Sequence, residues 1–182
     1  MGNRGLLHDP QQVIRRAFKL KAWITCVLSF KDRRRIVMSP GNYTELFFLD
    51  EATSFAAGHR PCFECRRERA STFKSSWLLG NPAYGFTEKT KIGEIDNIIH
   101  EERINKEGKK IAFNEDIRRL PNGAFIAIDH HPYVVNNGRM YLWTPSGYGQ
   151  EFPFPSEDLV DVLTPRSIVN AFKAGYLPQI NL

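Results

Sequence analysis

The sequence predicts an α+β fold, built of short antiparallel hairpins with segregated helices. Three observations predict it. Two stretches in the middle of the chain carry apolar residues at helical spacing. The last third breaks into short β-rich runs separated by turn residues. Nowhere do strands and helices alternate in the βαβ rhythm that a parallel sheet requires.

At 182 residues, 42% hydrophobic and 25% charged, the chain is long enough to bury a core and carries no low-complexity run. It reads as two parts, 1–80 and 81–182, which together form one compact domain. The 25 basic and 20 acidic residues leave a formal charge of +5, a mild bias toward polyanions. Three cysteines fit a reducing compartment better than a disulfide framework. No segment resembles a signal peptide and no apolar run approaches membrane-spanning length, so a cytoplasmic protein without a membrane partner is expected.

Residues 1–10 contain Gly2-Asn3-Arg4-Gly5, which has no preceding strand and reads as a turn or arm rather than a phosphate loop. Residues 11–21 carry Arg15, Arg16, Lys19 and Lys21; with Lys31, Arg33, Arg34 and Arg35 they make this region basic. Such charge is either a solvated face or a phosphate-contacting surface. Residues 22–30 read as a strand, 31–33 as a turn and 35–38 as the returning strand. Asp50 is a good N-cap for a short helix over 51–57, with Gly58 as its left-handed stop. Pro61 forces His59 and Arg60 out of the helix. Cys62-Phe63-Glu64-Cys65 follows as a tight C-x-x-C at the start of a helix over 66–79, where Ala70, Phe73 and Trp77 face the core.

A proline- and glycine-containing loop over 81–87 leads to a helix over 91–104. Ile92, Ile95 and Ile99 form its buried stripe, with Ile98 at the margin. Asp96, His100 and Arg103 lie along the other border. A carboxylate one turn from an imidazole suits a general base, so Asp96 and His100 are the candidate catalytic pair; the alternative is a surface ion-pair ladder. Residues 111–120 are poorly patterned. Strands follow over 124–128, 133–135 and 139–143, with Asn136-Asn137-Gly138 as a hairpin turn and 129–132, including His130 and His131, as the other turn. Residues 144–149, Thr-Pro-Ser-Gly-Tyr-Gly, read as a loop that lines a ligand pocket or reverses the chain. A strand over 159–163 precedes a helix capped by Thr164, with Pro165 at its first position, Ile168, Val169 and Phe172 inward, and Gly175 as the stop.

Two thiols at C-x-x-C spacing converge on one ion or form a strained disulfide, and a helix N-terminus favours their thiolates. The stretch 47–67, FFLDEATSFAAGHRPCFECRR, resembles part of the metal-binding domain of the Ada DNA-repair protein and its stand-alone relatives. In that family a short helix, an Ala-Ala-Gly stop, an Arg-Pro-Cys and a C-x-x-C complete a four-cysteine zinc site. The resemblance implies a zinc-knuckle-like element, with zinc at Cys62 and Cys65 and two further ligands upstream, where this chain has Met38 and Asn42 instead. Cys26, on the strand paired with 35–38, is the expected replacement, with His59 or His8 as a fourth ligand. Otherwise Cys26 is simply a buried strand cysteine. The family's methyl-accepting cysteine lies on the missing pair, so that chemistry is not expected here. The whole chain also resembles a widespread group of bacterial proteins, which implies no function.

Two readings follow. In the first, the protein binds or processes DNA or RNA, with zinc as a structural cofactor and Arg60, Arg66 and Arg67 facing phosphates. In the second, it is a small hydrolase or transferase acting on a nucleotide or nucleic acid near Asp96, His100 and the 144–149 loop.

Overall fold

A computed structural model describes residues 1–31, 36–156 and 158–182. Four helices and two sheets make up the described chain, in keeping with the α+β expectation. The larger sheet is six-stranded and antiparallel throughout. It comprises β4 (Phe113–Asp116), β5 (Phe125–Ile128), β6 (His131–Asn136), β7 (Arg139–Thr144), β8 (Gly147–Pro153) and β9 (Leu159–Val162), in the order β4-β9-β5-β6-β7-β8. Asn137 and Gly138, at φ 49° and 73°, turn β6 into β7, which is the positive-φ pair that Asn-Gly favours. Asp129 and His130 make the same kind of turn between β5 and β6, at φ 48° and 64°. The 144–149 segment is itself a tight hairpin turn into β8, not an open loop.

The smaller sheet is three-stranded, β1 (Gly2–Asn3), β2 (Ile24–Thr25) and β3 (Arg60–Pro61), with β2 antiparallel to β1 and parallel to β3. This corrects the expected hairpin. Strand character in 22–30 is confined to two residues, and residues 36–38 form no strand. The turn residues Asp32 and Arg33, with Arg34 and Arg35, lie outside the described residues.

The helices are α1 (Glu51–Ala56), α2 (Arg67–Gly80), α3 (Ile92–Arg103) and α4 (Arg166–Lys173). Asp50 caps α1 as expected: its carboxylate accepts from Thr53 N at 2.7 Å, and Gly58 stops the chain at φ +79°. Their inward stripes meet in one cluster of Phe55, Phe73, Trp77, Ile95, Ile99, Ile168, Phe172 and Tyr176, all buried. Each such side chain contributes about 1.5–3 kcal/mol through the area it removes from water. The cluster draws on both halves of the chain. A second cluster, including Ile117, Ile126, Val135, Val162 and Val169, packs the sheet against α4. Thr164 does not cap α4; its hydroxyl accepts from Phe125 N at 2.9 Å and pins the helix start to β5.

At the first residue of α1, Glu51 is buried with its carboxylate fully engaged. It accepts from Arg66 Nη2 at 2.8 Å, from the Arg69 guanidinium, from the Tyr176 hydroxyl at 2.9 Å and from Gln179 N at 3.1 Å. One carboxylate thus ties α1 to α2 and to the C-terminal segment. Replacing it by alanine leaves two guanidinium groups without their partner in a half-buried setting. Glu51→Ala is expected to lower stability by about 3–5 kcal/mol in urea denaturation; a loss below about 1 kcal/mol would contradict this role.

Candidate metal centre

Backbone pairing brings the cysteines together. Arg60 N donates to Trp23 O and Cys62 N donates to Thr25 O, both at 3.0 Å, which sets Cys26 beside the C-x-x-C. Cys62 then accepts Glu64 N on its sulfur at 3.4 Å, and Arg66 N closes a turn onto Cys62 O at 3.0 Å, so the thiols curl over the start of α2. The Sγ atoms of Cys26, Cys62 and Cys65 lie within 4.8 Å of one another. Tetrahedral zinc–sulfur bonds of ~2.3 Å set sulfur–sulfur separations near ~3.8 Å, so an ion needs the thiols to close by about 1 Å at most. The donor set suits zinc or another thiophilic ion. Cys26 therefore joins the C-x-x-C, as expected, but along the parallel β2–β3 pairing and not across a hairpin to residues 37 and 38.

The thiols differ in acidity. Burial pushes Cys26 far above the ordinary thiol value, and the neighbouring Cys62 and Cys65 reinforce that shift. Burial also works to raise Cys62, but hydrogen bonds from the amides of Cys65 and Glu64 outweigh it and hold this thiol below its ordinary value. Of these two, Cys62 is thus the readier thiolate and Cys26 the one that holds its proton.

The structure places the other candidate residues elsewhere. His59 is fully buried, with Nε2 accepting from Arg4 Nε at 3.2 Å and the ring packed on Trp23 and Phe48. Burial and the nearby Arg4 and Arg103 charges hold its pKa well below the usual histidine value. His8 Nδ1 contacts Thr44 Oγ1 at 2.6 Å. Neither histidine belongs to the thiol cluster, a correction to both as fourth ligands.

Asp96 and His100 do not act on one another. Both Asp96 oxygens accept from Arg60, at 2.7 and 2.8 Å, in a bidentate pair whose side chains are only 6% and 4% exposed. His100 Nδ1 faces Arg103 Nη2 at 2.8 Å, and burial followed by the Arg103 and Lys21 charges lowers its pKa. The catalytic pair expected from helical spacing is corrected: the carboxylate is committed to an arginine. Arg60 is corrected with it, since a buried, paired guanidinium cannot face a nucleic acid. Arg66 is similarly spent on Glu51, whereas Arg67 is exposed. The Tyr148 hydroxyl of the 144–149 turn donates to Asp50 Oδ2 at 2.7 Å, which places that turn against α1 and not at a pocket with α3.

Two features had no sequence signal. The Trp23 ring has the guanidinium carbons of Arg4 and Arg103 at 3.7 and 3.6 Å from its centroid, separations that only opposite faces allow. Arg103 also donates to Gly58 O at 2.8 Å and Lys21 O at 2.6 Å, fastening α3 to the segments that lead into β3 and β2. The second feature is a cavity of about 590 Å³ that the three cysteines line, together with apolar residues from 24–47. Its lining residues, Val27 and Leu28 among them, gave no signal because apolar residues in and after a strand normally mark a core.

Comparison with protein-family models, with curated proteins and with solved structures finds no match to this chain.

Cys26→Ser and Cys62→Ser are each expected to cost the protein its bound zinc, measured as metal per chain after dialysis; retention of one zinc in Cys26→Ser would exclude it as a ligand. Because Cys26 is protonated at neutral pH, binding must displace its proton. Zinc affinity should therefore rise at least tenfold per pH unit between pH 7 and 8 in competition titrations, and a flat profile would contradict the assignment.

Proposed function

We propose that this is a zinc-binding protein, held by Cys26, Cys62 and Cys65, whose exposed cations bind nucleic acid. The convergence of three sulfurs within 4.8 Å carries the metal part. A chain with the resemblance to Ada over 47–67 and the required thiols supports zinc over other thiophilic ions. The ion closes the loop between β2, β3 and α2, where two-residue strands supply little stability of their own.

The nucleic-acid part is supported by where the positive charge lies. Arg15, Arg16, Lys19 and Lys21 are exposed along 11–21, as is Arg67 at the start of α2. Arg15 is paired with Asp9 at 2.6 Å, a surface pair that a phosphate can displace. The charge excess is modest, so the binding is sequence-tolerant and salt-sensitive.

The test is fluorescence anisotropy with labelled single-stranded and duplex DNA and RNA of about thirty nucleotides at rising salt. Affinity should fall steeply, and replacing Arg15, Arg16, Lys19 and Lys21 together by alanine should flatten the log–log salt slope by up to about 4 on duplex DNA. Absence of binding to all four probes at low salt would overturn the nucleic-acid reading while leaving the metal site standing.

A further inference from the structure

The thiol cluster and the cavity share a wall. Cys26, Cys62 and Cys65 line it, and around them stand Ile24, Val27, Leu28, Phe30, Val37 and Phe47. Leu28 is 78% and Phe47 62% exposed, although both belong to a cavity wall. Large apolar side chains left open to water beside a concave surface mark a place where apolar matter binds. At about 590 Å³ the cavity has the size of a small-molecule site. Among the described residues no fourth histidine, cysteine or carboxylate completes the cluster. Three ligands among the described residues would leave an ion a fourth position, the arrangement that admits an exogenous ligand.

Resting on the reading of the three cysteines as metal ligands, we propose that the cavity binds an apolar thiol whose sulfur takes the fourth position on the ion. The donor chemistry favours this class: a thiophilic ion in a sulfur set prefers a further soft sulfur donor to a carboxylate oxygen, and the apolar wall suits a hydrocarbon body. With the ion held by Cys26, Cys62 and Cys65, the incoming thiol would bind as its thiolate and release its proton to solvent, while its hydrocarbon body would cover Leu28 and Phe47 and remove their apolar surface from water.

The experiment uses the full chain loaded with cobalt(II) under anaerobic conditions, titrated with n-alkanethiols from ethanethiol to hexanethiol. The d–d absorption reports the fourth ligand, and metal content after desalting reports retention. The expected result is a spectral change with one thiol per ion and an affinity that tightens about fourfold per added methylene until the cavity is full. Leu28→Ser and Phe47→Ser, at exposed positions, should weaken that chain-length dependence while leaving metal content unchanged. A metal-loaded protein whose spectrum no thiol moves would overturn this proposal and leave the metal centre intact, since the chain then supplies the fourth ligand itself. Thiol binding that ignores chain length would overturn the role of the cavity. Failure to bind cobalt or zinc at all would sink both the proposal and the metal reading beneath it.

Discussion

Arg60 stands where three parts of the molecule meet, and its pairing with Asp96 is the interaction on which the candidate site depends. Its backbone N–H reaches across to Trp23 O and so registers β3 on β2; its guanidinium runs the other way and takes both carboxylate oxygens of Asp96 on α3. Two charges this deeply buried are stable only as a pair. Removing either partner strands the other in a medium where its desolvation is worth several kcal/mol. The pair therefore fixes the distance between the helical core and the two-residue strands that carry the cysteines. Glu51 plays the matching role on the other side, anchoring Arg66 immediately after the C-x-x-C. Arginines flanking the thiols thus act as struts.

That arrangement explains why charge near the C-x-x-C misleads when it is read along the chain. Arg60, Arg66 and Arg67 are close in sequence and suggest one basic face. Only burial separates them: Arg60 and Arg66 neutralise carboxylates that arrive from 36 and 15 residues away, and Arg67 alone stays at the surface. Asp96 and His100 show the converse. Helical spacing places them one turn apart, but Arg60 from β3 claims Asp96, and Arg103, further along the same helix, claims His100.

What the sequence made legible follows the length and regularity of its patterns. The isoleucine stripe of α3 and the Ala70, Phe73 and Trp77 face of α2 each repeat over about two turns, Ile168, Val169 and Phe172 of α4 share one face, and all are buried or packed on the core. The Asn-Asn-Gly turn needs no context because its positive φ values select those residues. By contrast β1, β2 and β3 are two residues long and have no period to read. The parallel pairing that delivers Cys26 is a long-range contact with no local signature. At the sheet edge, β8 was hidden for a different reason: edge strands carry polar and glycine residues that discourage further pairing, as Gly149, Gln150 and Glu151 do here. The thiol site was half legible. The C-x-x-C and its helix N-terminus were plain, and Cys26 was placed correctly by way of a hairpin that does not form.

The central claim is that three thiolates from two separate segments hold one ion. Zinc K-edge X-ray absorption on the metal-loaded full chain tests it most directly. The account predicts three sulfur scatterers at ~2.3 Å and a fourth position supplied from outside that set. A first shell with two sulfurs or fewer, or a chain that takes up no zinc, would contradict it.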